Sequence, residues 1–165
     1  MDSRITDLQA RLAETLDFDA AFELVKSAVF AKFRMHRAGL SLILQVMPGH
    51  VGAYHVLGSN AIVVNSYVLN AIKRAASSLE EYNAYIFMVL AHEYLHSLGI
   101  TNENTVRQMT FELCSSALGP THMAARMAKE DPTSLFRNLN LPAQQFGKQF
   151  QLVKKFDTKN QSYIQ

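Results

Sequence analysis

Ile5, Leu8, Leu12 and Leu16 recur at helical spacing, so the chain should open with a short amphipathic helix that ends near Asp17. Asp19 can cap a second, longer helix through Phe22, Val25, Val29 and Phe33, closing at Gly39. The period then drops to two. Leu40, Leu42, Leu44 and Val46 alternate with Ser41, Ile43 and Gln45, the pattern of a half-buried strand, and Pro48-Gly49 turns it. Gly52 to Leu57 and Ala61 to Val64 are two more strand-like runs, joined by Gly58-Ser59-Asn60 as a hairpin loop. Ser66 can cap a helix that carries Val68, Leu69 and Ile72 and ends near Ala76.

Ser78-Leu79-Glu80-Glu81 is a capping box, and it opens a helix of a different kind. Ile86, Phe87, Met88, Val89, Leu90 and Ala91 are continuous, with Leu95 and Leu98 beyond, which is too apolar for a surface helix. Gly99 can take the left-handed cap conformation, with Ile100 packing back on the last turn. A further helix begins at Thr101 or Asn102, carries Val106, Met109, Leu113 and Ala117, and ends at Gly119-Pro120. From there the chain reads as short helices, His122 to Lys129, Ser134 to Asn138 and Pro142 to Lys155, before a polar tail. The expectation is one α+β domain with a small, mostly antiparallel three-stranded sheet. Its parts are N-terminal helices over 1–39, a core over about 40–118, a helical segment over 120–157 and a tail over 158–165.

Composition alters this little. Apolar residues make up 48% and charged residues 18%, with a net charge of +2, a globular balance that favours no particular partner. No basic stripe interleaved with aromatics is present, so nucleic acid is not an expected partner. The first residues lack an apolar signal region, and the longest apolar run, Tyr85 to Ala91, is too short to span a bilayer. Cys114 is alone, which excludes an internal disulfide and fits a reducing cytoplasm. Nothing in the chain signals an oligomeric state.

The chemistry is concentrated in the apolar helix, in His92-Glu93-Tyr94-Leu95-His96. Residues four apart on a helix lie one above the other, so both imidazoles can grip one Zn²⁺. Glu93 lies about 100° round the helix from His92, close enough to hold a zinc-bound water without being a ligand. The metal lowers the pKa of that water and the carboxylate takes its proton, the chemistry of a peptide hydrolase. The alternative is a pair of core histidines satisfied by other partners. Two histidines and a carboxylate buried without partners would cost several kcal/mol, a cost that a metal removes by coordination.

Zinc needs a third protein ligand. At 100° per residue Glu103 falls on the inward side of its helix with Val106 and Thr110, whereas Glu112 points outward. Glu103 is the candidate; its alternative role is a first-turn acid facing the helix dipole. Arg107, one turn on, could orient that carboxylate. His122 could enter the cleft as a ligand or as an oxyanion-stabilising donor, and Tyr54 and His55 could also donate. Ala53, Tyr54 and Val56 mark a candidate edge strand for pairing with substrate backbone, or else an ordinary hairpin. Asn102 stands where the longer H-E-x-x-H-x-x-G-x-x-H pattern has its third histidine, a departure that argues against that class.

The run His92 to Gly99, preceded by a small sheet and followed by Asn102-Glu103 opening a second helix, resembles the minimal gluzincins. These are small archaeal metallopeptidase-like proteins similar to the catalytic cores of certain integral-membrane peptidases. The resemblance covers roughly Leu40 to Leu118. It implies a zincin-like fold, one zinc held by His92, His96 and Glu103, and Glu93 as general base. It also implies a peptide or protein substrate and the option of latency through a flanking segment. The function expected is a zinc metalloendopeptidase. The alternatives are a zinc-binding module without hydrolytic activity and a helical domain without metal.

Overall fold

A parallel pair of strands forms the centre of the sheet. In the computed structural model, which describes residues 2–49, 51–136, 139, 141 and 150–157, β1 (Ser41–Gln45) pairs in parallel with β3 (Ala61–Asn65). Strand β2 (Ala53–His55) lies antiparallel on the outer side of β3, and β4 (Phe150–Leu152) lies antiparallel on the outer side of β1. The order is β2-β3-β1-β4, a mixed sheet of four strands where three mostly antiparallel ones were expected. The β2–β3 hairpin is present, but it folds so that β3 inserts between β2 and β1. The other edge of β1 needs backbone partners, and the C-terminal segment supplies them. That overrides the helix expected from Pro142 to Lys155 over its described part; residues 142–149 lie outside the described residues.

The described helices are α1 (Ser3–Ala13), α2 (Phe18–Phe33), α3 (Ser66–Ala75), α4 (Leu79–Ser97), α5 (Glu103–Leu118) and α6 (Met123–Lys129). The chain is α+β, and among the described residues no helix is long and apolar enough to cross a membrane. Several boundaries differ from the pattern for local reasons. Asp17, not Asp19, caps α2, accepting from the Ala20 N–H at 2.7 Å, so α1 must stop earlier and Leu16 is left 86% exposed. Helix α2 ends at Phe33 with Arg34 in the left-handed region (φ 57°), well before Gly39. Asn65, not Ser66, caps α3, accepting from the Tyr67 N–H at 3.0 Å. Its buried amide nitrogen also reaches the carbonyls of Met47, Pro48 and Val51 and shapes the 47–51 loop. The helix expected from Ser134 to Asn138 is, in its described part, the end of a 3-10 turn over Pro132–Leu135. The tail over 158–165 lies outside the described residues.

Helix α4 is the centre of the fold. Ser78 caps it by accepting from the Glu81 N–H at 3.2 Å, and the Glu81 carboxylate reaches back to the Ser77 N–H at 2.9 Å. Ala84 through Ala91 are all buried, because α1, α2, α5 and α6 surround the helix and β2 and β3 flank it. Each large apolar side chain so enclosed contributes about 1.5–3 kcal/mol, so the helix that carries the motif is held without freedom to shift.

Candidate metal centre

The last two turns of α4 carry His92 and His96, and the turn that follows brings in their partner. Gly99 (φ +98°) ends the helix, its N–H bonding to the His96 carbonyl at 3.0 Å. A side chain there would be strained, so glycine permits the reversal. Asn102 then caps α5, accepting from the Thr105 N–H at 2.9 Å, which fixes Glu103 as the first residue of α5. Its two carboxylate oxygens meet the two imidazoles. Oε1 lies 2.9 Å from His92 Nε2 and Oε2 lies 2.9 Å from His96 Nε2. One donor atom from each residue lies within 4.8 Å of the others, so the three could hold a metal ion.

The hydrogen bond behind His96 says which of its nitrogens faces the cluster as a lone pair. His96 Nδ1 lies 2.8 Å from the Ile100 carbonyl, which can only accept, so Nδ1 carries the proton. In the neutral ring Nε2 is then a bare acceptor facing a carboxylate oxygen. Two acceptors at that separation repel unless a proton, making His96 an imidazolium that donates to Glu103, or a metal cation lies between them. Two imidazoles and a carboxylate, with one imidazole fixed from behind by a carbonyl, match the donors that zinc takes in open sites.

The electrostatics follow from burial. Glu93 is 5% exposed, and its Oε2 has no hydrogen-bond partner among the described residues. Burial, helped by the charge of Glu103, pushes its carboxyl up to about 8. Burial also lowers His92 against the pull of Glu103. For Glu103 burial acts upward, but the two imidazoles and Arg107 outweigh it and hold the carboxyl below its ordinary value. Arg107 Nε stands 3.5 Å from Glu103 Oε1. Cys114 is buried with its thiol pushed up to about 12, chemically quiet.

Two clefts meet at this group and share Ala53, His92, Glu93 and Glu103. One is about 900 Å³ and runs along α4 toward α6; the other is about 280 Å³ and opens on the β2 side. Tyr54 and His55 border the smaller one. His55 Nδ1 lies 2.9 Å from the Ala61 carbonyl and must donate to it, so the neutral ring has no N–H left to offer a substrate. The Tyr54 hydroxyl lies 3.4 Å from Gln45 Oε1. Val56 falls beyond the strand, 54% exposed, and borders neither cleft.

Two sequence candidates are not brought to the group. His122 caps α6, accepting from the Ala124 N–H at 3.1 Å, and its Nε2 faces Glu80 Oε1 at 3.6 Å. Glu80 is near the start of α4, twelve residues and therefore about 18 Å before His92. Glu112 is exposed and accepts from Gln108 Nε2 at 3.0 Å.

Arg37 is a positioning residue that no local pattern marks. Its Nη1 donates to the Ser97 carbonyl at 2.7 Å, and its Nη2 donates to the Ser59 carbonyl at 2.9 Å and to Asn60 Oδ1 at 3.0 Å. Its own N–H donates to the Tyr94 hydroxyl at 2.9 Å. One guanidinium thus ties the end of the histidine helix to the loop between β2 and β3. If the group holds a metal ion, Arg37→Ala is expected to weaken its binding about tenfold, as loss of an outer support does, in a competition titration with Zn²⁺ against a chromophoric chelator. Arg37→Lys should not restore it, because an ammonium lacks the planar fork. Unchanged affinity in both variants would remove the positioning role.

Compared with family models, with curated proteins and with solved structures, the chain matches none.

Proposed function

We propose that this chain is a zinc-dependent metallopeptidase of zincin-like architecture, in which His92, His96 and Glu103 hold the metal and Glu93 is the general base. The observation that carries the reading is the meeting of acceptors: His96, with its proton committed to the Ile100 carbonyl, turns a lone pair on the Glu103 carboxylate. A proton on His96 would relieve that contact alone, whereas a divalent cation relieves it and uses all three donors at once. Zinc held there would polarise a peptide carbonyl and acidify a coordinated water.

The protein supplies the rest. Burial raises the Glu93 carboxyl to about 8, but a dication held beside it would favour the carboxylate, which would then take the proton of the attacking water and deliver it to the leaving amine nitrogen. The outer edge of β2 offers backbone N–H and C=O groups that can align an extended peptide across the site. Neither neighbouring donor is free in this arrangement: the His55 N–H is committed to the Ala61 carbonyl, and the Tyr54 hydroxyl donates to Gln45 Oε1 at 3.4 Å and would have to leave it to reach a developing oxyanion.

A second reading, zinc binding without hydrolysis, is favoured by one observation. Leu141 packs over Gly49 at the rim of the larger cleft, its Cδ1 3.7 Å from where a Gly49 Cβ would stand. Leu141 therefore stands beside a residue that lines the cleft, where it can restrict entry.

Elemental analysis of zinc per chain on the wild type and Glu103→Ala tests the metal assignment. About one zinc in the wild type and its loss on dialysis from the variant is the expected result. Zinc retained by the variant would reject Glu103 as a ligand. A wild type that binds none would reject the metallopeptidase reading.

A further inference from the structure

Tyr85, Met88, Val89 and His92 stand at i, i+3, i+4 and i+7 on α4, one stripe that lines the larger cleft. Tyr85 is two turns, about 10 Å, from His92, so the cleft runs that far from the metal-ligand group. Phe111 and Met127 line it as well. Met88, Val89, Phe111 and Met127 give it an apolar stretch, while Gln108, Lys129, Glu130 and Asp131 add polar groups to its walls. Tyr85 is only 2% exposed, yet its hydroxyl has no hydrogen-bond partner among the described residues and is not fully enclosed. Gly52 keeps the approach clear, for a Cβ there would stand 3.4 Å from that hydroxyl. A buried phenol normally finds a partner, and this one faces the cavity without one.

We propose that this end of the cleft is a side-chain pocket selective for tyrosine, with Tyr85 as the specificity-determining residue. The proposal rests on the metallopeptidase reading and extends it to substrate class. The incoming ring lies against Met88 and Val89, facing Phe111 and Met127, where thioether and aromatic contacts favour a flat ring. Its hydroxyl exchanges a hydrogen bond with that of Tyr85. A phenylalanine in the same place would leave the Tyr85 hydroxyl dry and unpaired. A lysine would cross the same apolar stretch to reach Glu130 and Asp131 and would leave the Tyr85 hydroxyl without an acceptor, so its binding is the competing outcome the test must separate. Short side chains would fill only the part nearest His92 and gain nothing from the Tyr85 end.

Hydroxamates of single amino acids test this, because the hydroxamate anchors on zinc and the side chain is free to vary. The zinc-loaded full chain is titrated with acetohydroxamate and with tyrosine, phenylalanine and lysine hydroxamates. The tyrosine compound is expected to bind about tenfold more tightly than the phenylalanine one, the worth of one buried hydrogen bond. In Tyr85→Phe the two should bind alike, with zinc content unchanged. Gly52→Ala, which sets a methyl against the hydroxyl, should narrow the difference too. Equal wild-type binding of the two aromatic compounds, or tightest binding of lysine hydroxamate, would overturn the pocket and leave the metallopeptidase reading standing. Failure to bind zinc, or to bind any hydroxamate once loaded, would overturn both.

Discussion

Under the proposed metallopeptidase function, Glu93→Gln is expected to bind zinc as the wild type does and to lose peptide hydrolysis by a factor of about 10²–10⁴, the usual worth of a positioned general base. The amide is nearly isosteric with the carboxylate, so the packing around this buried residue is preserved. With its carboxyl pushed up to about 8, Glu93 is already largely neutral near pH 7 in the metal-free chain, so a neutral amide should not weaken the fold. What disappears is the oxygen that accepts a proton. Because Glu93 is not among the three residues that meet at the cluster, zinc content should match the wild type. Paired measurements, zinc by elemental analysis and turnover of an internally quenched peptide library, separate the outcomes. Hydrolysis retained within a few-fold would sink the role of Glu93. Zinc lost with activity would make it a ligand.

Lys26→Met and Asp157→Asn are each expected to destabilise the chain by about 3–5 kcal/mol, the cost of leaving one partner of a buried ion pair alone. The Lys26 side chain is 0% exposed in the middle of α2, hydrogen-bonded to Asp157, with Glu23 Oε2 at 3.1 Å. The other Asp157 oxygen accepts from the Leu40 N–H at 2.8 Å, at the entry to β1. Beside it Phe156 stacks on Phe22 with ring centres 4.5 Å apart, and Phe22 meets Tyr94 of the motif helix edge-on at 5.2 Å. One aspartate therefore joins the C-terminal segment to α2, and the neighbouring rings continue the contact to α4.

Urea unfolding followed by circular dichroism should show lower midpoints for both single variants and partial recovery in Lys26→Met combined with Asp157→Asn, which removes both charges of the pair, keeps an acceptor for the Leu40 N–H and leaves the partly exposed Glu23 to solvent. Single variants within about 1 kcal/mol of wild type would show that the pair contributes little. Burial alone would lower Lys26, but Asp157 and Glu23 outweigh it and hold the ammonium above its ordinary value. A raised lysine contributes fully below the unfolded value of about 10.4 and loses that contribution as pH climbs through the folded one. The protein should therefore weaken only in strongly alkaline solution through this pair.

Local chemistry in the chain determines much of the candidate site. The two histidines are four apart on a helix, Ser78 starts that helix, Gly99 stops it and Asn102 starts the next. These are short-range rules of spacing and capping, and each operates within a few residues. Glu103 was legible for the same reason, since only a brief turn separates it from His96 and the helix phase then sets its direction.

Tertiary structure decided what depends on distant partners. His122 looked free to approach the site, but α6 packs at the far end of α4 and turns it toward Glu80. The spacing of Phe146 and Phe150 suits a helix, yet β4 forms over Phe150–Leu152 because the edge of β1 was open. Arg37 and Asp157 carry no motif, because their roles come from carbonyls and charges contributed by segments 20 to more than 100 residues away. The Tyr85 hydroxyl at the end of the cleft is the same kind of fact. Helical periodicity places its ring on the buried face of α4, and only the packing of the loop at Gly52 leaves the oxygen facing open space. Spacing along one helix is set by covalent geometry and can be read from the chain, whereas a pairing across the fold exists only once its two segments have been brought together.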